Sequence, residues 1–311
     1  MIIFENVTKQ FGDDTIGVED ISFQIKPGEL VTVTGPSGSG KTTLMRLLTK
    51  EYEPTAGEIV FNQTPLSQIK PNKVHQHRRD IGVIFQDYKL LRDLNVWENI
   101  ALALDILGLP QSEIEERVTD LLELVDLTDK ALLFPVQLSG GEAQRVGIAR
   151  ALAPAPKVIF ADEPTGNLDA VTAKHIVSLF SKIHQMGTTV LLSTHDSKVL
   201  DQLTDRMIEL DKGKLIKDSG ASATKATKKT KVEEVAENDT AETDDKLEPQ
   251  KSGNRISLWL SNLISSKPKD KPDTEQEEEQ MEAKTTTKKK SSKKKKVEKD
   301  QETVTVSVEK I

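Results

Sequence analysis

The sequence predicts an α/β fold built on a largely parallel sheet, with an antiparallel strand region and a helical region attached to it. Three apolar runs, at residues 30–34, 158–161 and 188–192, have the composition of parallel strands that are covered on both faces. The first run leads through a glycine-rich loop into a helix-compatible segment at residues 43–48. A helical stretch in the middle of the chain then separates the first apolar run from the other two.

The N-terminal region contains shorter strand patterns that indicate an antiparallel sheet. Residues 2–4 begin the first strand, and residues 21–25 alternate apolar and polar side chains, as a half-buried antiparallel strand does. Pro27 and Gly28 mark a turn before the strand that leads into the glycine-rich loop. Two further strands are predicted at residues 57–61 and 81–85.

The middle of the chain predicts two helices, at residues 96–107 and 112–125, which we interpret as a helical insertion between strands of the α/β core. In the second helix, Ser112 followed by Glu115 fits a capping box. The apolar residues expected on one face of that helix are Ile114, Val118, Leu121, Leu122 and Val125.

The folded part is predicted to close with a hairpin, residues 206–210 and 214–216, and to end near residue 219. The division is therefore a domain of residues 1–219 and a tail of residues 220–311. The tail carries 20 lysines and arginines, 19 aspartates and glutamates and one aromatic residue, Trp259. Such a composition buries too little apolar surface to offset chain entropy, so we predict a disordered, charged, low-complexity tail.

One part of the tail departs from this pattern. An amphipathic helix is predicted at residues 254–266, because apolar residues recur there at helical spacing between basic flanks. The apolar positions are Ile256, Trp259, Leu260, Leu263 and Ile264. Such a helix either docks on an anionic membrane or a partner or forms only transiently without a role. Nucleic-acid binding by the tail is less favoured, because acidic tracts interleave with the basic ones and aromatic residues are nearly absent.

The overall composition bounds the class of protein. The 311 residues include no cysteine, which excludes disulfides and thiolate metal sites and suits a reducing cytosol. The net charge of −7 argues against generic nucleic-acid binding by the whole chain. No apolar run reaches the length of about 18 residues that a membrane-spanning helix needs, and the N-terminal residues do not resemble a signal peptide.

The glycine-rich loop is the strongest motif of the chain. Residues 35–42 fit the pattern G-x-x-x-x-G-K-[ST] of a P-loop, which lies between a buried strand and a helix. Its backbone N–H groups cradle phosphates, Lys41 is expected to reach the β- and γ-phosphates, and Thr42 is expected to bind Mg²⁺. The nucleotide-binding residues predicted here are Gly35, Pro36, Ser37, Gly38, Ser39, Gly40, Lys41, Thr42 and Thr43.

Two acidic residues follow the apolar run at 158–161. Asp162 is expected to reach the Mg²⁺ ion held by Thr42, and Glu163 to orient or deprotonate the attacking water. An acidic pair after a strand is more often a helix cap or a solvated turn. The P-loop elsewhere in the chain favours the functional interpretation.

A second glycine-containing segment, residues 138–142, opens a helix. Ser139 with Glu142 three residues later fits a capping box. The glycine pair, Gly140 and Gly141, exceeds what a cap requires, and it suits a backbone that approaches a phosphate.

With these motifs in this order, residues 1 to about 218 resemble the nucleotide-binding subunits of ABC-type ATPases. The resemblance identifies residues 138–142 as the signature segment of that family and implies catalytic roles for Glu163, His195 and Gln86. It implies Mg²⁺ binding by Thr42, Gln86 and Asp162. It adds Phe11, Ser139, Gly140, Gly141, Glu142 and Asp169 as nucleotide-binding residues.

Two residues depart from the usual pattern of the family. Phe11 stands where the family commonly has an adenine-stacking tyrosine, and Glu142 replaces the usual glutamine of the signature segment. Phenylalanine keeps the stacking face and loses only the hydroxyl.

Residues 85–91 and 95–100 further resemble the FtsE type of cell-division ATPase, which works with the membrane protein FtsX. The block at 161–169 is shared with ATPases of lipoprotein-releasing and macrolide-exporting transporters, so that alternative stays open. A scaffold whose charged tail recruits other proteins or nucleic acid is a third interpretation.

The resemblance implies a P-loop ABC ATPase core with antiparallel β and helical subdomains, and a homodimer with ATP at its interface. ATP and Mg²⁺ are the implied cofactors, and an FtsX-like integral membrane protein is the implied partner. It also implies a cytoplasmic, peripheral position on the inner face of the cell membrane, held there by the partner, and control of cell-wall hydrolases rather than transport.

Overall fold

The computed structural model describes residues 1–12, 15–195 and 206–220. All of these lie in the first of two compact units, Met1–Ser265. The tail after residue 220, with the helix predicted at residues 254–266, lies outside the described residues, so the domain boundary near residue 219 stays a prediction. Among the described residues, no helix combines the length and the apolar character that a membrane crossing requires.

An antiparallel sheet in the order β2-β1-β4-β5 forms the N-terminal region. Its strands are β1 (Ile2–Phe11), β2 (Thr15–Ile25), β4 (Ala56–Phe61) and β5 (Thr64–Pro65). The alternation in β2 is confirmed, because Ile21, Phe23 and Ile25 are buried while Ser22 and Gln24 are exposed. The first strand is longer than the sequence predicts, because register shifts between Phe4 and Gln10 interrupt the two-residue period.

A six-stranded sheet in the order β10-β9-β3-β8-β7-β6 forms the core. Its strands are β3 (Leu30–Thr34), β6 (Ile81–Ile84), β7 (Val158–Asp162), β8 (Thr189–Ser193), β9 (Met207–Asp211) and β10 (Lys214–Asp218). All neighbours are parallel except the β9–β10 hairpin. The three apolar runs of the sequence are the buried central strands, as predicted.

Six α-helices complete the described residues. They are α1 (Lys41–Leu48), α2 (Val74–Arg79), α3 (Val96–Asp105), α4 (Gln111–Leu124), α5 (Gly140–Leu152) and α6 (Ala170–Gln185). Helices α3 and α4 lie in the chain between β6 and β7, so the predicted helical insertion is confirmed. The predicted apolar face of α4 is buried in full.

The predicted capping box of α4 is wrong. Pro110 is the N-cap residue, and its carbonyl accepts hydrogen bonds from the N–H groups of Glu113 (3.0 Å) and Ile114 (3.1 Å). Ser112 is therefore already inside the first turn and cannot cap it. The capping box of this region instead joins Asn95 and Glu98 at the start of α3, where the same spacing is present in the sequence.

Candidate active site

The P-loop, residues 35–42, connects the carboxyl end of β3 to α1. Gly35 has a φ of 148°, and a Cβ there would stand 2.1 Å from the carbonyl oxygen of Leu210, so the tight path needs glycine. Helix α1 begins without a side-chain cap and without an acidic residue in its first turn. Its N-terminal N–H groups therefore remain available to an anion.

Two side chains of the P-loop fit a phosphate group. The Lys41 ammonium, with only 5% of its side chain exposed, donates to the carbonyl oxygens of Gly35 (2.8 Å) and Pro36 (3.0 Å). The Ser39 hydroxyl is buried and has no hydrogen-bond partner among the described residues. Because an orphaned buried hydroxyl is costly, a phosphate oxygen at this position would satisfy it.

Thr42 and Asp162 meet across the P-loop and the end of β7, as the sequence predicts. The Thr42 hydroxyl donates to Asp162 Oδ2 at 2.8 Å. The other carboxylate oxygen of Asp162 accepts a hydrogen bond from the hydroxyl of Ser193 at the end of β8. This donor set consists of hard oxygen atoms, which fits Mg²⁺. Sequence reasoning missed Ser193, because no local pattern shows that β7 and β8 are neighbours.

Glu163, Lys41 and His195 also converge. Glu163 Oε1 lies 3.7 Å from Lys41 Nζ and 3.1 Å from His195 Nδ1. The Glu163 backbone has a φ of 47°, and its N–H donates to the Ser193 carbonyl at 3.0 Å. This anchoring holds a strained residue and places its carboxylate beside the P-loop. His195 is largely exposed at the end of β8.

Gln86 lies beside the segment that precedes α6. Its side-chain Nε2 lies 3.4 Å from Asn167 Oδ1, and its backbone carbonyl oxygen accepts a hydrogen bond from Asn167 Nδ2 at 3.3 Å. These contacts connect Gln86 to Asn167 rather than to Thr42 or Asp162. The role of Gln86 as a metal ligand stays a prediction.

Asp169 is the N-cap of α6. Its carboxylate accepts from the N–H groups of Val171 (3.0 Å) and Thr172 (3.1 Å) and from the Thr172 hydroxyl (2.6 Å). The hydrogen bonds from Thr172 hold the pKa of Asp169 below its usual value. Its carboxylate is thus engaged by its own helix, and the predicted contact with a nucleotide is untested.

Phe11 stands near the P-loop, together with an aromatic residue that sequence reasoning missed. A Cβ at Gly17 would meet both the Phe11 ring (2.6 Å) and the Thr43 methyl group (3.0 Å), so Phe11 and Thr43 flank the same point. The Tyr52 ring packs edge-on against Phe11, with centroids 5.0 Å apart, and Lys9 Nζ lies 5.2 Å from the Phe11 centroid. The position suits a base that stacks beside the phosphates.

The signature segment, residues 138–142, contains the predicted capping box. The Ser139 N–H donates to Glu142 Oε2 at 2.8 Å, and the Glu142 N–H donates to the Ser139 hydroxyl at 3.4 Å. The glycine pair has a local reason as well. A Cβ would stand 2.9 Å from the Tyr88 hydroxyl at Gly140 and 2.2 Å from a Thr172 methyl group at Gly141. Packing within the chain thus accounts for both glycines, and their phosphate role stays a prediction.

Glu142 points toward Lys130, a residue that the sequence did not single out. The Lys130 ammonium contacts Glu142 Oε1, and this hydrogen bond, followed by that from the Ser139 N–H, lowers the pKa of Glu142 to about 2. Glu142 is therefore an anion at neutral pH, engaged within its own chain.

This geometry defines a nucleotide-binding domain of the ABC type, and comparisons with known proteins agree. Residues 18–166 match the family model described as ABC transporter. The cell division ATP-binding protein FtsE of Bacillus subtilis is 43% identical over 218 residues, which are 70% of this chain and 96% of that protein. FtsE of Escherichia coli K12 is 44% identical over 215 residues, 69% of this chain and 97% of that protein.

Solved structures give the same fold. A dimeric ATP-binding cassette in a post-hydrolysis state, bound to ADP and Pi, superposes with a TM-score of 0.65 at 34% identity, covering 70% of this chain and 98% of that one. The chain belongs to the ABC transporter family, within the group of FtsE cell division ATP-binding proteins. It is therefore an ABC-type ATPase, and the predicted fold class is confirmed.

Proposed function

We propose that two copies of this chain close around ATP, and that closure and hydrolysis act on a membrane partner in cell division. The observation that carries this proposal is the convergence of Lys41, Glu163 and His195 beside the Thr42–Asp162 pair. Phosphoryl transfer to water requires a cation near the phosphates, oxygen atoms that can bind a metal ion, and a group that orients the attacking water. Lys41, the Thr42–Asp162 pair, and Glu163 in contact with His195 are suited to these three tasks.

In this mechanism Lys41 turns from the P-loop carbonyls to the β- and γ-phosphates, and Ser39 and the N–H groups of α1 donate to phosphate oxygens. Thr42 and Asp162, with Gln86 as a further candidate, would hold Mg²⁺, which neutralises charge on the phosphates. Glu163 orients the attacking water or takes its proton, and His195 steadies the Glu163 carboxylate and reaches the γ-phosphate. Water attacks the γ-phosphorus, and ADP and phosphate leave.

The homodimer is proposed because the signature segment faces outward. Ser139 and Gly140 are exposed, and among the described residues no hydrogen bond or ion pair joins the signature segment to the P-loop. A second copy could therefore bring its signature segment to this chain's nucleotide. ATP would then bind the closed dimer better than the open one, and hydrolysis would remove that difference. The solved relative described above is dimeric.

For the membrane partner we propose a docking surface at residues 87–97. The buried Asn99 fixes this segment, because its amide nitrogen donates to the carbonyls of Leu91 (3.0 Å), Leu94 (2.9 Å) and Asn95 (2.9 Å). The Arg150 guanidinium on α5 donates to the carbonyls of Tyr88 and Lys89. A partner that moves this segment would therefore move the helix that carries the signature segment.

The proposed partner is an FtsX-like integral membrane protein, which would hold the chain on the cytoplasmic face of the membrane and control cell-wall hydrolases outside. The names of the relatives support a role in cell division. The alternative is the ATPase of a lipoprotein-releasing or macrolide-exporting transporter.

We further propose that residues 1–219 are the nucleotide-binding domain and that the tail contacts an anionic membrane through residues 254–266.

The test uses Glu163→Gln, which should bind ATP but hydrolyse it slowly and so accumulate the closed dimer. We expect size exclusion with light scattering to give a dimer with ATP and Mg²⁺ and a monomer with ADP. A Glu163→Gln chain that stays monomeric with ATP, both alone and with its copurified membrane protein, would contradict the dimer.

The membrane partner is tested separately by purification from solubilised membranes, with Leu91→Asp as the matched variant on the proposed docking surface. Leu91 is 44% exposed, so this change should leave ATPase activity of the isolated chain intact while the copurifying membrane protein is lost. A partner with four spans and one large external loop supports the FtsX-like assignment, and one with a larger periplasmic domain supports the transporter. Equal recovery with the wild-type and Leu91→Asp chains would remove the proposed surface.

A further inference from the structure

Glu142 forms a bridge between a lysine and the backbone of the signature segment. Its Oε1 contacts the Lys130 ammonium, and its Oε2 accepts from the Ser139 N–H at 2.8 Å. The Glu142 side chain is 18% exposed, and Lys130 is 32% exposed. Among the described residues, Lys130 is the one cation in contact with this carboxylate.

Lys130 does not lie on a loose loop. It ends a short 3₁₀ helix, Thr128–Lys130, in which its N–H donates to the Leu127 carbonyl at 3.0 Å. The following residues are fixed to the start of α3, because the Trp97 N–H donates to the Ala131 carbonyl at 2.9 Å and the Val96 N–H donates to the Leu133 carbonyl at 2.9 Å. The lysine is therefore presented to Glu142 from a braced backbone.

The charge of Glu142 is a difficulty for the function proposed above. The Ser139 hydroxyl accepts from the Glu142 N–H, which leaves its own O–H free to donate to a phosphate of the partner's ATP. A carboxylate three residues away would repel that phosphate unless its charge were compensated. Asp129 adds negative charge near Lys130, and Arg145 adds positive charge, but neither forms an ion pair with Glu142.

We propose that Lys130 is a positioning residue of the composite nucleotide site: it neutralises Glu142 and holds its carboxylate on the Ser139 N–H, so that the signature segment can receive the γ-phosphate bound by a second copy. This inference rests on the proposed dimer. It assigns a role to an ion pair that a glutamine at position 142 would not need, since a neutral amide oxygen can accept from the Ser139 N–H without a cation.

The experiment compares Lys130→Met, Lys130→Arg and Lys130→Met/Glu142→Gln, each in the Glu163→Gln chain. The ATP concentration that gives half-maximal dimer is measured by light scattering. Lys130→Met should raise it roughly five- to tenfold, because an anion is left without its cation where another anion must bind. Lys130→Arg keeps the positive charge, so its ATP concentration for half-maximal dimer should stay near that of the parent. In the double variant Lys130→Met/Glu142→Gln, this concentration should return most of the way to the parent value.

Nucleotide affinity of the monomer, measured with a fluorescent ATP analogue at low protein concentration, should stay within about twofold of the parent in Lys130→Met and Lys130→Arg, because residue 130 lies away from the P-loop. A purely structural role of Lys130 would not be rescued by Glu142→Gln. A double variant as impaired as Lys130→Met overturns the inference, and so does a Lys130→Met chain that dimerises like its parent. If the parent Glu163→Gln chain does not dimerise with ATP, the proposed homodimer is wrong and the role of Lys130 falls with it. If the parent dimerises but the Lys130 variants do not behave as expected, only the role of Lys130 is wrong.

Discussion

The P-loop and the signature segment both present a helix N-terminus, yet they are built in opposite ways. Around the P-loop the functional side chains are buried: Lys41 donates to the loop's own carbonyl oxygens, and the Ser39 hydroxyl has no hydrogen-bond partner in the part of the chain that the structure describes. In the signature segment Ser139 and Gly140 are exposed, while the charged Glu142 is tied back to Lys130. The P-loop therefore has the character of a pocket that binds a nucleotide within one chain, and the signature segment that of an exposed surface that contacts a second chain. For this reason we assign them to different subunits of one composite site.

The largest effect is expected on the P-loop side. Lys41→Ala should abolish ATP binding, because no other described cation occupies the loop and a point charge on the β- and γ-phosphates cannot be replaced by water. Isothermal titration with ATP and Mg²⁺ measures this directly. Thermal unfolding of the same variant without nucleotide serves as the control for folding, and an ATP affinity equal to that of the wild-type chain would overturn the assignment.

The signature side should behave differently. Ser139→Arg should leave ATP binding to the monomer intact and block the closed dimer, because the bulky cation occupies the surface that the other copy's nucleotide approaches. The sharpest form of this test is a mixed dimer of Lys41→Ala and Ser139→Arg chains, both carrying Glu163→Gln and different affinity tags.

If the sites are shared between chains, that mixed dimer keeps one intact site, made of the P-loop of one chain and the signature segment of the other. If each chain is self-contained, it keeps none. We expect tandem purification with ATP to recover the mixed pair with one ATP bound, while neither homodimer is trapped. Recovery of the mixed pair without bound ATP would favour self-contained sites and contradict the assignment of the P-loop and the signature segment of one site to different chains.

The two regions also differ in how far the sequence alone could describe them. The P-loop and the acidic pair are contiguous motifs that local pattern is enough to point out, whereas the signature segment was assigned through the resemblance to ABC-type ATPases. The contacts of Ser193 with Asp162, of Tyr52 with Phe11 and of Lys130 with Glu142 join residues that are 31, 41 and 12 positions apart. No local periodicity encodes such pairs, because they arise only when the strands and helices pack.

The fold itself was largely predictable for the same reason. The central strands are continuous apolar runs, and the helical insertion keeps its period. The errors occurred where the backbone departs from a regular period. Bulges in β1 hid most of that strand, and Pro110 began α4 before the serine that the capping pattern favoured.

The smallest expected effect concerns pH and tests the ion pair between Lys130 and Glu142 at the signature segment. The Lys130 hydrogen bond, followed by the Ser139 N–H, lowers the pKa of Glu142 from 4.5 to about 2 in the folded chain. Because the folded value lies below the unfolded one, the ionised carboxylate stabilises the fold above about pH 4.5, and this contribution is lost as pH falls toward about 2. Glu142→Gln has no such titration.

We therefore expect the free energy of unfolding, measured with urea between pH 7 and pH 3, to fall more steeply below about pH 4.5 in the wild-type chain than in Glu142→Gln. Asp169, whose pKa is also lowered, is present in both chains, so its titration cancels in the comparison. Lys130→Met should flatten the same part of the curve, since it removes the main cause of the shift. The difference is small, because the pair is only partly buried and solvent screens it. If the free energy of unfolding falls equally with pH in the wild-type and Glu142→Gln chains, Glu142 is not held by Lys130 in solution. The signature segment would then lack the ion pair that distinguishes it from the P-loop.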